Sequence, residues 1–156
     1  VVDALQVAKE RTRIHFSHTS TRPLSPDYEY VGVAGEIAFA NEFGLEVDTT
    51  ARPEGDGGVD FTLSNGLTVD VKTYRKPYHL LREVNKPHAD ILVLARFDDS
   101  SGEARLIGWE WDSEMVKCPT RDFGYGIVSH YKVAKELKQI PDLHGEHNES
   151  PLSSMA

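Results

Sequence analysis

Asp60, Asp70 and Lys72 fall in the stretch 55–76, GDGGVDFTLSNGLTVDVKTYRK, in a pattern that can gather them at one place. Val59, Phe61 and Leu63 alternate with Asp60, Thr62 and Ser64. Leu67, Val69, Val71 and Thr73 alternate with Thr68, Asp70, Lys72 and Tyr74. Two runs of period two around Ser64-Asn65-Gly66 predict a hairpin whose strands each have one apolar face. A three-residue loop with Gly66 left-handed sets Phe61 opposite Val69 and Asp60 opposite Asp70. A two-residue loop would pair Asp60 with Val71 and bury one strand's polar set, so the three-residue register is expected. In that register the two aspartate Cβ atoms stand about 4.5–5.5 Å apart, and like charges so placed repel. Lys72 on the same face can offset them, as can a divalent cation with oxygen ligands at roughly 2.1 Å. On the hairpin alone, ordinary solvated charges and a metal-and-water site both remain open, because Asp-x-Lys is short and common.

Other elements must carry these groups. A helix is expected over 30–43, stopped by Gly44. Val33, Ile37 and Ala40 form one stripe, and Glu36, Phe39, Ala40 and Phe43 the adjoining one. A carboxylate at the edge of an apolar stripe needs a partner, which makes Glu36 a candidate third acidic group. Residues 45–50 suit a short strand. The Gly-rich segment 53–58 lacks the lysine and hydroxyl ending of a phosphate loop and precedes a strand. Its glycines leave backbone room beside a site, and Glu54 and Asp56 are spare carboxylates there. Upstream, 1–17 suits a helix and 19–27 a Ser/Thr/Pro loop.

Downstream, 77–84 is expected as a short helix and 90–97 as a central strand, apolar almost throughout. Residues 104–111 continue as a strand with Ile107, Trp109 and Trp111 on one face, the tryptophans serving as core. Asp112 is placed to cap a short helix through Val116. A last strand over 127–133 and a helical turn over 134–137 follow. Residues 1–140 are expected to form one domain, and 141–156 a flexible polar tail in which His144 and His147 make a poor metal site.

A chain of 156 residues can bury its own core. With 39% apolar and 27% charged residues it is neither disordered nor membranous in composition. No apolar run approaches a bilayer span, and the opening VVDALQVAKERTR does not read as a signal peptide. The single Cys118 excludes an internal disulfide and suits the cytoplasm. A net charge of −8 works against phosphate binding. Its distribution is uneven: Lys72, Arg75, Lys76, Arg82 and Lys86, with His79 and His88, form a basic run interrupted only by Glu83.

The order helix (Glu36), strand, strand (Asp60), strand (Asp70-Val71-Lys72), helix, strand resembles the PD-(D/E)XK nuclease superfamily over roughly residues 30–98. Val59 stands where the family's name has proline. The resemblance implies an α/β, restriction-endonuclease-like αβββαβ core with a mixed central sheet flanked by helices, plus C-terminal strands. It also implies metal-dependent hydrolysis of DNA phosphodiesters; endonucleolytic action is expected over exonucleolytic, since so small a chain has little material for a channel unless it oligomerises. Asp60, Asp70 and the Val71 carbonyl would hold Mg²⁺, with Mn²⁺ able to substitute. Lys72 would orient or help deprotonate the attacking water, and Glu36 would support a second metal. Arg75, Lys76, Arg82 and Lys86 would hold the DNA backbone, and a homodimer would supply a site for each strand. The alternative is a catalytically silent member of the fold that binds nucleic acid or protein.

Overall fold

The computed structural model describes residues 28–47 and 59–148. The helix expected over 1–17, the loop over 19–27, the segment 53–58 with Glu54 and Asp56, and residues 149–156 lie outside the described residues. The chain is a mixed α/β protein. Helix α1 spans Tyr28–Phe43, strand β1 Phe61–Thr62 and strand β2 Thr68–Tyr74. Strands β3 (His79–Glu83), β4 (Ile91–Asp98) and β5 (Glu103–Trp111) follow. A short helix α2 (Asp112–Met115), strands β6 (Thr120–Asp122) and β7 (Val128–Val133), a 3-10 turn Ala134–Glu136 and helix α3 (Ile140–Asn148) complete it.

Four strands make a mixed sheet in the order β1-β2-β4-β5, and three make an antiparallel sheet in the order β3-β7-β6. In the mixed sheet β2 runs parallel to β4 and antiparallel to β1, while β4 runs antiparallel to β5. Phe39, Ala40 and Phe43 of α1 pack with Val69, Val71, Ile91 and Val93 on one face. Leu92 and Leu94, on the other face, pack with Leu80 of β3 and Met115 of α2. Covered on both sides, β4 is buried from Ile91 to Ala95, which accounts for its continuous apolar run.

From Phe61 to Val69 the hairpin register is the expected one, but the ladder ends before Asp60, which does not pair with Asp70. Phe61 lies opposite Val69, and the Leu63 N–H donates to the Leu67 carbonyl at 2.8 Å. The Gly66 N–H closes the turn on the Leu63 carbonyl at 2.9 Å, with Gly66 at φ +90. Helix α1 ends as expected, with Gly44 at φ +65 and the Leu45 N–H on the Ala40 carbonyl at 2.9 Å. Of the strand expected over 45–50, the described residues 45–47 form none.

Four further expectations are corrected. The helix expected over 77–84 is instead strand β3, laddered to β7 with Leu81 opposite Tyr131. A helix would have put Val84 on the same side as Leu80, but Leu80 is fully buried and Val84 is 41% exposed. The element joining β2 to its parallel neighbour β4 therefore belongs to the second sheet. Ile107 does not share a face with Trp109. Leu94 pairs with Gly108 but Ala95 with Leu106, and the extra residue turns Ile107 toward Leu80 and Leu94. Asp112 opens α2 without capping it; its carboxylate instead meets the Arg82 guanidinium. The tail expected from residue 141 begins as helix α3, whose Leu143 is fully buried. There His144 stacks on Phe43 at 4.2 Å between ring centres, and the Asn65 amide donates to the Glu146 carbonyl at 2.6 Å. α3 thus ties α1 to the hairpin turn.

The approach of α1 to β2 leaves no room for a methyl group. A Cβ on Gly35 would lie 1.7 Å from Thr73 Oγ1 and 2.9 Å from Thr73 Cβ. Gly35→Ala is expected to destabilise the fold by about 1–3 kcal/mol through overpacking, despite alanine's higher helix propensity, as read by a denaturant midpoint. Gly32→Ala, which meets nothing within 4 Å, is the control and should be neutral or stabilising.

Candidate metal-binding and catalytic site

Asp60 precedes β1, whose ladder with β2 covers Phe61 and Thr62. The Asp60 N–H donates to the Val69 carbonyl at 2.8 Å, and its Oδ2 accepts the Val71 N–H at 2.7 Å. The carboxylate thus takes the place that a neighbouring strand's carbonyl would hold beside β2. It lies at the edge of β2 rather than in a ladder position facing Asp70. The N–H and C=O of one strand residue point to the same side, so the Val71 carbonyl also opens toward Asp60.

Asp70 and Lys72 share the face of β2 opposite Val69 and Val71. Asp70 is only 6% exposed, and its Oδ2 is 2.8 Å from the Lys72 ammonium. The ammonium is close but off the line of a well-formed hydrogen bond, and among the described residues this buried oxygen has no other hydrogen-bond partner. The contact is chiefly one of charge. Burial pulls the Lys72 amine down, but the Asp70 charge and contact, with Tyr74 and Asp60 adding less, raise it above the usual lysine value. Lys72 is therefore cationic at neutral pH. In this state it can stabilise negative charge and orient water but cannot accept a proton.

Asp60, Asp70 and the Val71 carbonyl all offer oxygen, the donor type that suits a hard cation. The Asp70 oxygen without a hydrogen bond fits the same requirement. Glu36, 5% exposed, lies on α1, the helix that covers the Val69 and Val71 face. Among the described residues no three His, Cys, Asp or Glu side chains form a metal-ligand group.

The expected DNA contacts are placed unequally. Arg75 Nε donates to both Asp99 carboxylate oxygens, at 3.0 and 2.8 Å, and its guanidinium lies 5.3 Å from the Phe97 ring centre. Arg82 is held by Asp112, with 15% and 24% of their side chains exposed. Lys86 lies 3.4 Å from Glu83, and Lys76 is exposed. The two kinds of cation should separate under mutation. Lys76→Ala is expected to weaken DNA binding and reduce its salt slope by about one. Arg82→Ala is expected to cost about 2 kcal/mol of stability, a fall in Tm of roughly 4–8 °C, and to leave the slope unchanged.

Glu110, absent from the sequence-based candidates, is the most completely buried acid here, with its side chain 0% exposed. Its Oε2 meets Lys132 Nζ at 2.5 Å, while its Oε1 meets Lys138 Nζ at 2.9 Å and accepts the Trp111 N–H at 2.9 Å. It lies in a row with Asp70, since both pair with Leu92 from opposite sides. Burial pushes the Glu110 carboxyl up, but the Lys132, Lys138 and Trp111 hydrogen bonds outweigh it and hold the group below its ordinary value. The bond to Glu110, opposed by burial, holds Lys132 above the usual lysine value. Its one sequence signal was an acid between two core tryptophans.

No helix among the described residues is long and apolar enough to cross a membrane. No family model, curated protein or solved structure matches this chain.

Proposed function

We propose that this chain is a metal-dependent phosphodiesterase acting on DNA, with Asp60, Asp70 and the Val71 carbonyl as the cation's ligands and Lys72 beside the reacting phosphate. The observation that carries this reading is the Asp70 carboxylate. It is buried, faces a cationic lysine and keeps an oxygen without a hydrogen bond. A bound cation would give this buried carboxylate a second positive partner beside Lys72. Bound there, Mg²⁺ or Mn²⁺ would polarise the phosphoryl oxygen and lower the pKa of water. Asp60 holds its carboxylate at the strand edge through the Val71 N–H. Lys72 offers its ammonium to charge developing on the phosphate, an interaction strengthened by partial burial. A restriction-endonuclease-like core, endonucleolytic action and a homodimer with one site per strand belong to the same proposal.

The test is incubation with linear, branched and circular DNA in Mg²⁺, Mn²⁺ or EDTA. Cleavage in either metal and none in EDTA is the expected result; intact DNA in all three would end the proposal. The pairing of Arg75, Arg82 and Lys86 with acids, in a chain of net charge −8, favours a second reading as a silent binding protein. DNA retained but uncut in Mg²⁺ and Mn²⁺ would select it.

A further inference from the structure

The outer face of the second sheet carries aromatic side chains that the proposed chemistry does not use. Leu80 and Lys132 point inward, to Leu92 and to Glu110. Their neighbours His79 and Tyr131 therefore point outward, with ring centres 5.5 Å apart. Phe123, just beyond β6, completes the cluster at 5.9 Å from His79 and 5.6 Å from Tyr131. The Arg121 guanidinium lies 5.2 Å from the Phe123 ring centre. Phe123 is 38% exposed, and Tyr125 at the tip of the β6–β7 loop is 65% exposed.

The backbone of that tip is strained in a way that keeps the Tyr125 ring in solvent. Gly124, Tyr125 and Gly126 have φ of +129, +59 and +73. Glycine adopts such values freely, whereas a tyrosine does so at a cost, and an exposed ring recovers none of it by burial. Charge points to what the rings meet. Lys132 and Lys138 turn to Glu110 and Lys117 to Glu114, but the Arg121 guanidinium lies over the Phe123 ring itself, on the same face as the rings.

We propose that the cluster of His79, Phe123 and Tyr131, with Tyr125 at its rim and Arg121 across it, is a stacking platform for unpaired bases of single-stranded nucleic acid. Aromatic rings with basic groups around them bind single strands in this way, because each base presents a π-face and each phosphate a charge. A duplex hides its base faces, so the platform discriminates against it. The inference rests on nucleic acid being this chain's ligand, as proposed above, but not on cleavage.

The test is fluorescence anisotropy in EDTA with a fluorescein-labelled oligothymidylate, and a duplex of equal length as the comparison. Tyr125→Gly removes a ring and relaxes the backbone, so its Tm should hold or rise while affinity for oligothymidylate falls about tenfold. Phe123→Ala should give a similar loss, with duplex binding unchanged in both variants. Failure of the parent to bind oligothymidylate, or equal binding by parent and Tyr125→Gly, overturns the inference. So does a loss confined to self-association in sedimentation, which would mark the face as a contact between copies. If DNA is cut in Mg²⁺ yet the variants bind like the parent, this inference falls and the nuclease stands. If oligothymidylate binds through these rings and nothing is cut, the reverse holds.

Discussion

Asp70→Asn is expected to lower Mg²⁺-dependent DNA cleavage by about a thousandfold or more. Several kcal/mol of transition-state stabilisation depend on a correctly held cation, and each 1.4 kcal/mol is about a factor of ten. Asparagine keeps the size of the side chain while removing the charge that faces Lys72 at 2.8 Å. Alanine is the poorer choice, because it also deletes the polar group beside the Lys72 ammonium and leaves a gap at a buried position. The same variant should lose its thermal response to the ion. With Mg²⁺ at a hundred times its Kd the parent gains about 2.7 kcal/mol, or roughly 5–10 °C in Tm. Parent-like cleavage by Asp70→Asn would remove this carboxylate from the reaction. A parent Tm indifferent to both Mg²⁺ and Mn²⁺ would remove the cation.

Glu110→Ala should cause the largest loss of stability, about 3–5 kcal/mol, because it removes a fully buried acid together with its bonds to Lys132, Lys138 and the Trp111 N–H. In a domain of this size that is a fall in Tm of roughly 10 °C. Lys138→Ala should cost much less, since that side chain is 40% exposed and Lys132 remains on Glu110. The sign of the pH dependence follows from the two shifts. Glu110 is held low when folded, so its contribution is present above the ordinary glutamate pKa and lost as pH falls through its folded value. Lys132 is held high when folded, so its contribution is present below the ordinary lysine pKa and lost as pH rises through its folded value. Tm measured across pH should therefore show a shallower acid limb in Glu110→Gln than in the parent. Parallel acid limbs would mean that Glu110 is not coupled to folding as its surroundings imply.

Much of the local structure could be read from the residues themselves. The hairpin register followed from Leu63, Gly66 and Leu67, because the turn and both apolar faces agree on one alignment. The end of α1 followed from Gly44, and the apolar run at 91–95 marked a strand covered on both sides. The errors share one cause. Whether 77–84 forms a helix depends on β7, which arrives some fifty positions later with a ladder for His79–Glu83. Residue 141 onward looked like tail because its polar helix buries little of itself beyond Leu143, and its docking needs Phe43 and the hairpin turn.

The same division runs through the candidate site. Asp60, Asp70 and Lys72 could be identified from alternation, a local property of extended chain in which successive side chains face opposite sides. Their state could not. Packing decided that Asp70 is buried, that Lys72 is held protonated against it, and that Asp60 turns to the Val71 N–H at the edge of β2. It also took Arg82 for Asp112 and enclosed Glu110 between two lysines. Period and turn chemistry act over a few residues and are written in the chain. Burial and charge pairing depend on groups brought together from distant positions, and only the folded arrangement determines them.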